Sequence, residues 1–187
     1  MPWVARRLGR NQRVLVASPA YICRHDAVTH PDLLKDHACL VVRENSGEKS
    51  RSGGYGFDTW QLQKDRDKST VRVQVRGPLS SNSGELVRDW CLDGRGIMLR
   101  SLWDIAPQLA SGELVRVLPA YSMPDADIHW LAPYRPDSPR RIRLLIDFLA
   151  DQFSKEPWKK LSTTVRPAAP TPQPASPVAQ RGSRPAP

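Results

Sequence analysis

Three consecutive polar residues, Ser81, Asn82 and Ser83, stand ahead of an apolar run and are the best placed in the sequence to bind a ligand. Side chains of these types cap helix N-termini. A helix start presents free N–H groups and the positive end of the helix dipole, which together favour a carboxylate or another small anion. The triplet is therefore a candidate anion site, and helix capping by itself would explain the same residues.

Arg43 is a second candidate, because a guanidinium can steer or pair with an anion. It follows the apolar run 39–42 and opens a stretch that continues to Phe57. Four glycines among serine, asparagine and charged residues make this stretch a predicted long loop. Binding residues often lie on such loops, although a charged loop residue is more often only exposed to solvent.

Motifs for other chemistry are missing from the sequence. There is no G-x-S-x-G elbow, H-E-x-x-H pair or Walker loop, so nothing supplies an activated nucleophile or a phosphate cradle. Gly94-Arg95-Gly96 follows a predicted helix and precedes a predicted strand, the reverse of the order in a dinucleotide fingerprint. Possible metal ligands are Cys23, His25, His30, His37 and Cys39, but they lack the paired C-x-x-C spacing of a zinc site. We therefore expect no enzyme, no metal and no cofactor.

The composition limits the class of protein. The 187 residues are 40% hydrophobic and 25% charged, as in soluble globular proteins, and the apolar runs are too short to cross a membrane. The three cysteines, Cys23, Cys39 and Cys91, do not form a disulfide framework. Since no export signal opens the sequence, we expect a cytoplasmic protein. The formal net charge of +9 favours encounters with nucleic acid or small anions without defining a site.

Predicted strands and helices alternate along the chain. Apolar runs and period-2 patterns predict strands at 13–17, 39–42, 71–75, 97–99, 114–118 and 128–131. Helices are predicted at 20–25, 31–35, 103–110 and 139–153, with a further one between Asn82 and Gly94. This alternation predicts an α/β domain with a largely parallel sheet.

Capping patterns define the predicted helix ends. Asn82 followed by Glu85 has the spacing of a capping box, which makes Asn82 the predicted N-cap. Gly94 and Gly112 are predicted to end helices. The last helix is predicted to start at Pro139, after the capping residues Asp137 and Ser138. From about residue 163 the chain is rich in Pro and Ala, which predicts a disordered tail.

Several segments, taken in order, resemble one family. They are Arg6-Arg7-Leu8-Gly9, residues 14–21, His30-Pro31-Asp32-Leu33, Cys39-Leu40-Val41, Trp60-Gln61-Leu62, Ser81-Asn82-Ser83-Gly84-Glu85, Asp93-Gly94-Arg95-Gly96-Ile97 and residues 111–119. Together with the last helix, this set resembles the effector-binding (substrate-binding) domain of LysR-type transcriptional regulators. The resemblance runs from about Val4 to Phe153.

The resemblance implies a fold like the type 2 periplasmic binding proteins, with two α/β lobes joined by crossing strands. Residues 1–156 would form a partial domain. Within it, 17–111 would be a complete second lobe, while 1–16 and 112–156 would supply crossing strands and part of the first lobe. Residues 157–187 would be a disordered Pro/Ala-rich tail. The winged helix-turn-helix and most of the first lobe would be absent, which leaves the apolar face of the helix at 139–153 with little to cover it.

The resemblance also implies a function and a site. The chain would be the effector-sensing portion of a transcription regulator that binds a small, anionic metabolite between its lobes. In the family the helix start at Ser81, Asn82 and Ser83 faces the cleft. By the same resemblance, the loop beginning Arg43, Glu44, Asn45 would form the other cleft wall of the second lobe. DNA would be contacted only through the absent winged helix, and the expected protein partners are further copies of the chain or an intact regulator.

Two other functions remain open at this stage. A truncated product could associate with intact regulators through its exposed first-lobe surface without sensing anything. Alternatively, a small basic protein could bind nucleic acid through arginine clusters. Those clusters are Arg6, Arg7 and Arg10 near the start of the chain and Arg140, Arg141 and Arg143 on the last helix.

Overall fold

The structure is a computed structural model that describes residues 3–43, 56–124, 126–133 and 139–162. Its first half contains β1 (Trp3–Gly9), β2 (Arg13–Ala17), α1 (Pro19–Ile22), a 3₁₀ helix (Pro31–Asp36), β3 (Cys39–Val42), β4 (Gly56–Lys64), β5 (Thr70–Gly77) and β6 (Ser80–Ser81). Its second half contains α2 (Gly84–Leu92), β7 (Ile97–Ser101), α3 (Leu102–Ser111), β8 (Val115–Arg116), β9 (Tyr121–Ser122), β10 (Ile128–Pro133), α4 (Arg140–Ser154) and α5 (Pro157–Ser162).

A five-stranded sheet in the order β6-β3-β7-β2-β8 forms the centre of the fold. β3 runs parallel to β6 and β7, whereas β2 runs antiparallel to β7 and β8. Four of the five strands therefore run in the same direction, as predicted, whereas β2 runs the opposite way and makes the sheet mixed. A continuous apolar run indicates that both faces of a strand are buried, but it does not indicate whether the strand runs parallel or antiparallel to its neighbours.

Each face of the central sheet is covered by a separate layer. β2 shows this directly, because Leu15 and Ala17 belong to one core cluster while Val14 and Val16 belong to the other. The first cluster is closed by the hairpin of β4 and β5, through Trp60, Leu62, Val73 and Val75. The second is closed by helices, through Val87, Cys91, Leu102, Ile105, Ala106 and Leu109. The central sheet thus lies between a small antiparallel sheet and a helical layer.

Strand β4 is an element that the sequence did not predict. The expected loop from Arg43 to Phe57 ends earlier, because β4 already begins at Gly56. Residues 44–55, which make up most of the predicted loop, lie outside the described residues. The signal for β4 is weak because polar residues on its outer face alternate with only two large buried ones, Trp60 and Leu62.

A two-stranded ribbon lies outside these layers. β1 and β10 pair antiparallel, and α4 packs beside β1, where the Arg6 guanidinium meets the Asp147 carboxylate at 2.6 Å. None of the residues of α4 is fully buried. Leu144, Leu145 and Phe148 are 57%, 44% and 60% exposed, as expected for a helix with an uncovered apolar face.

Asn11 connects this ribbon to the central layers. It is 8% exposed and lies between β1 and β2. Its backbone N–H donates to the Asp127 carboxylate at 2.9 Å, and its side-chain amide donates to the Ala126 carbonyl at 2.9 Å. Its side-chain oxygen accepts the N–H of Trp103 at 3.4 Å, at the start of α3. Asn11 therefore connects the segment between β1 and β2, the residues just before β10 and the start of α3.

Most of the predicted helices are present, with shifted ends. Gly112 ends α3 with φ +82°, and Gly94 follows α2 with φ +74°, so both glycines have the predicted left-handed conformation. Residues 20–25 were predicted to be helical, but α1 spans only Pro19–Ile22. Pro139 precedes α4 as its N-cap instead of occupying its first turn. The predicted capping residues Asp137 and Ser138 lie outside the described residues.

The predicted tail boundary at residue 157 differs from the structure. Residues 157–162 form α5, and Trp158 is only 5% exposed within the helical core cluster. Its ring lies 5.9 Å from that of Phe153, centroid to centroid, and α5 packs against α3. A single large aromatic side chain buries enough apolar area to fix a short helix. The rest of the predicted tail, from residue 163, lies outside the described residues.

Among the helices that the structure describes, none is long and apolar enough to cross a bilayer.

Replacing Trp158 should destabilise the helical layer. We expect Trp158→Ala to lower the free energy of unfolding by about 3 kcal/mol, because it removes a buried ring and leaves a cavity. Trp3→Ala is the matched control, since Trp3 is 67% exposed, and its effect should stay within about 0.5 kcal/mol. Urea unfolding followed by circular dichroism measures both. Equal losses for the two variants would contradict the role assigned to Trp158.

Candidate functional site

The start of α2 is capped by Ser83. Its side-chain oxygen accepts the N–H of Leu86 at 3.3 Å, and the Ser81 side-chain oxygen accepts the N–H of Ser83 at 3.1 Å. The prediction that Asn82 is the N-cap is therefore wrong, and so is its capping box with Glu85. Because α2 begins at Gly84, the residue three positions before Leu86 caps the helix, and that residue is Ser83. Asn82 lies one position earlier and is exposed.

Arg43 lies beside Ser81 at one end of the central sheet. β3 and β6 are parallel, Val42 is paired with Ser81, and the Arg43 N–H donates to the Ser81 carbonyl at 2.8 Å. The carboxyl ends of the two strands therefore bring two of the predicted site segments together. Arg43 is exposed, so its guanidinium can reach a ligand at this end. The other predicted residues of the loop wall, Glu44 and Asn45, lie outside the described residues.

Arg100 belongs to the same region, and no sequence pattern singled it out. A Cβ atom placed on Gly84 would lie 1.9 Å from a terminal nitrogen of Arg100, so the guanidinium lies directly against the first residue of α2. Arg100 donates from Nε to the Asp104 carboxylate at 2.5 Å, and Arg88 donates to the other oxygen of that carboxylate at 3.2 Å. Asp104 thus fixes a guanidinium at the helix start, and a side chain at position 84 would displace that guanidinium.

This arrangement favours an anion on electrostatic grounds. The first backbone N–H groups of α2, at Gly84 and Glu85, have no partner within the helix, because a helix leaves its first N–H groups unpaired. The helix dipole adds partial positive charge there. Arg88 and Arg100 share the Asp104 carboxylate, and Arg88 also lies 3.9 Å from the Asp89 carboxylate, so it is Arg100 that faces the helix start. Arg43 supplies a further cation at the same end of the sheet. These groups can bind a small carboxylate without any metal or cofactor.

His37 and Cys39, two of the residues considered above as metal ligands, have structural hydrogen-bond partners. The Tyr21 hydroxyl accepts the N–H of Ala38 at 3.1 Å and lies 3.2 Å from His37 Nδ1. Cys39 is buried, and burial raises the pKa of its thiol to about 12. The Cys39 thiol donates to the Leu34 carbonyl at 3.4 Å. In residues 3–43, 56–124, 126–133 and 139–162, no group of three or more His, Cys, Asp or Glu residues could hold a metal ion.

The comparisons with known proteins agree with the fold. In open α/β sheets, ligands bind outside the carboxyl ends of the strands. The model of the LysR substrate binding domain matches residues 2–154. The chain belongs to this family, whose domains bind the effectors of LysR-type transcription regulators. The fold is therefore that of the type 2 periplasmic binding proteins.

Individual relatives are bacterial regulators. The chain is 40% identical over 152 residues to the HTH-type transcriptional regulator DmlR of Escherichia coli K12, covering 81% of this chain and 46% of that protein. It is 41% identical over 150 residues to the transcriptional activator TtdR of the same strain, covering 79% of this chain and 44% of that protein. The chain thus spans about half the length of these curated relatives.

A solved structure has the same fold. The regulatory domain of AphB from Vibrio vulnificus aligns with a TM-score of 0.63 and 31% sequence identity, covering 80% of this chain and 69% of that one. The full-length structure of the Vibrio cholerae virulence activator AphB aligns with a TM-score of 0.65 and 30% identity, covering 80% of this chain and 48% of that one. Both are regulators of the same type, which agrees with the family assignment.

The histidine beside Tyr21 should make stability depend on pH. Burial, followed by the nearby charge of His25, holds the pKa of His37 below its ordinary value. As the pH falls through the ordinary histidine range, the unfolded chain therefore binds a proton that the folded chain still excludes. The contribution of His37 to stability is present above that range and is lost as the pH falls towards the folded-state pKa. NMR titration of the His37 ring in folded and urea-unfolded protein measures both values. A folded pKa equal to or above the unfolded one would contradict this.

Proposed function

We propose that this chain binds a small anionic metabolite at the polar end of its central sheet and so acts as the sensing part of a LysR-type regulator. The observation that carries the proposal is the meeting of Arg43, Ser81 and the start of α2, with Arg100 fixed against Gly84. A carboxylate at this position would receive backbone N–H groups and two guanidinium groups. Ser83 and Asn82 shape the same helix start.

We further propose the lobe assignment. The central sheet, the β4–β5 hairpin, α2 and α3 form the second lobe, and the ribbon of β1 and β10 with α4 belongs to the first. The two cores on either side of the central sheet support this division, since α4 has no buried residue. β8 pairs with β2, and β9 pairs with β4, which favours a crossing near residues 123–127 over one at 112.

The proposed mechanism is a shift of population. A ligand that contacts both lobes stabilises the arrangement in which its contacts are best satisfied, by as much as its affinities for the two arrangements differ. In a full-length regulator this shift would change how attached winged helices contact DNA, and how the copies of the protein associate. This chain supplies the sensing step, and the DNA contact belongs to the winged helix of the complete regulator.

The site can be tested with a panel of small mono-, di- and tricarboxylates. A member that binds should raise the unfolding temperature, and at a concentration of 100 Kd the expected stabilisation is about 2.7 kcal/mol. Arg43→Gln should weaken its binding by about tenfold or more, because it removes one charged hydrogen bond. Calorimetric titration measures the change.

The control for this test is Arg76→Gln. Arg76 is also exposed, but it lies next to Gly77, which contacts Cys39 at the start of β3, whereas Arg43 follows the end of that strand. The substitution removes the same charge and should leave binding unchanged within about twofold. Equal weakening by both variants would show attraction by overall charge only. No stabilisation by any carboxylate would contradict the proposed function.

A second function, association with an intact regulator of the same family, is favoured by the uncovered face of α4. Leu144, Leu145 and Phe148 are exposed together, and a two-stranded ribbon is only marginally stable without further strands or helices. The first-lobe sheet of a longer family member would cover this face. The chain would then act through complex formation in addition to, or instead of, ligand binding.

Association can be tested by co-purification with a full-length regulator of the family. Phe148→Asp should abolish it, because a carboxylate cannot be buried in an apolar contact without a large cost. Leu33→Asp is the control, since Leu33 lies on the 3₁₀ helix and is 36% exposed. A monomer at all concentrations with no co-purification would contradict this second function.

A further inference from the structure

We propose that one side of α4 is a dimerisation surface, on which α4 of a second copy of this chain packs antiparallel to the first. The surface consists of Arg141, Leu144, Leu145, Phe148 and Asp151, and we call it the α4 stripe. All five residues are exposed. The proposal goes beyond the proposed function, because it needs no ligand at the start of α2. It also gives this face a different occupant from the intact regulator of the second function.

Helical periodicity produces the α4 stripe. Its members follow one another at steps of one, three or four residues, which places them on one side of a helix. The half-buried residues of α4 lie on the other side of the helix and account for its packing beside β1. These residues are Ile142, Ile146, Leu149, Ala150 and Phe153. The α4 stripe is therefore not used in the contacts that hold α4 on the ribbon.

The centre of the α4 stripe is apolar. Leu144, Leu145 and Phe148 are neighbours on a helix that has no fully buried residue. Removing apolar area from water is the main favourable term in protein association. Grouped apolar side chains with charged residues at their edge are typical of interaction surfaces. A second apolar helix face packed here would take these three side chains out of water.

Opposite charges stand at the two ends of the α4 stripe. Arg141 lies three residues before Leu144, and Asp151 lies three residues after Phe148. Among the described residues, Arg141 has no ion-pair partner, whereas Asp151 pairs with Lys155 at 2.7 Å. Both members of that pair are exposed, so the pair contributes little and can be exchanged for another. The stripe thus offers a cation at one end and an anion at the other.

This symmetric spacing matches a second copy in the antiparallel orientation. When the second copy is turned end for end about Ile146, its Asp151 comes opposite Arg141 and its Phe148 comes opposite Leu144. Each contact then occurs twice, as in any interface with two-fold symmetry. A parallel copy would place Arg141 against Arg141 and Asp151 against Asp151, and both contacts would be repulsive. The charges therefore favour the antiparallel arrangement.

The same charges disfavour a nucleic acid on the α4 stripe. Arg140, Arg141 and Arg143 stand at the start of α4, but Asp147 and Asp151 follow on its exposed surface. A phosphate backbone laid along the stripe would meet the Asp151 carboxylate, which repels it. A second copy of α4 meets an opposite charge at both ends. We therefore commit to the second copy as the occupant.

Charge reversal tests the arrangement. Arg141→Asp and Asp151→Arg should each weaken self-association by about tenfold or more, because each variant places like charges opposite each other twice. Neither variant should unfold α4, since the helix dipole favours an acidic residue near the helix start and a basic one near its end. Sedimentation velocity measures the dimer at concentrations up to about 500 μM, which are needed because small interfaces are weak.

An equal mixture of the two variants is the decisive measurement. In Arg141→Asp both ends of the stripe are acidic, and in Asp151→Arg both ends are basic. The two variants should therefore pair with each other, at least as tightly as two intact chains, although neither pairs with itself. Native mass spectrometry distinguishes the mixed dimer from the two like dimers by mass. A mixture that remains monomeric would overturn the antiparallel pairing.

The matched control is Arg143→Asp. Arg143 is also exposed near the start of α4, but it lies two residues from Arg141 and therefore on another side of the helix. The substitution makes the same change of charge and should leave self-association within about twofold of that of the intact chain. Equal weakening by Arg143→Asp and Arg141→Asp would overturn the proposal, because only overall charge would then matter.

Two further outcomes separate this proposal from the other functions. A chain that stays monomeric up to the highest concentration but co-purifies with a full-length regulator overturns self-association and supports the second function. A monomeric chain whose salt-dependent retention on DNA is lost in Arg141→Asp overturns it in favour of nucleic acid. The carboxylate titrations depend on Arg43 instead, so failure of the ligand site and failure of the dimer are measured separately.

Discussion

The complete burial of β2 is the constraint on which the rest of the fold depends. Val14, Leu15, Val16 and Ala17 are all 0% exposed, and they face two different cores in alternation. A strand buried on both faces needs a covering layer on each side and a hydrogen-bonded neighbour at each edge. The hairpin and the helices are the two layers, and β7 and β8 are the two neighbours. Four consecutive apolar residues thus account for the three-layer architecture.

The mixed direction of the strands determines where the polar chemistry lies. β3, β6 and β7 all end at one edge of the sheet, which brings Arg43 and Ser81 there and directs Arg100 towards α2. β2 runs the opposite way, so its first residue, Arg13, reaches the same edge. Parallel strands alone would have placed Arg13 at the far edge. Because β2, the fourth of the five strands, runs antiparallel to both of its neighbours, Arg13 lies at the same end of the sheet as Arg43 and Arg100.

Local signals in the sequence predicted most helices and strands, but they did not predict which of these pack or pair with each other. The glycines that end α2 and α3 were predictable, because the left-handed conformation is a property of one residue and its neighbours. The helix start at 81–83 was located correctly, although its cap was assigned one residue early. In contrast, the contact of Arg100 with Gly84 and the burial of Trp158 depend on residues far apart in the chain. The periodicity of a short segment carries no information about such long-range contacts. The direction of β2 also depends on its distant neighbours, so it was not predicted either.

The connection between the ribbon and the central layers is confined to a small region. At Gly9, an added Cβ would lie 2.9 Å from the carbonyl oxygen of Phe153 and 3.3 Å from Trp158, so β1, α4 and α5 meet there with no space left. Two residues later, the Asn11 side chain forms hydrogen bonds with Ala126, which precedes β10, and with Trp103 at the start of α3. The ribbon and α4 bury little elsewhere. The contacts around Gly9 and Asn11 therefore hold the ribbon against the central layers.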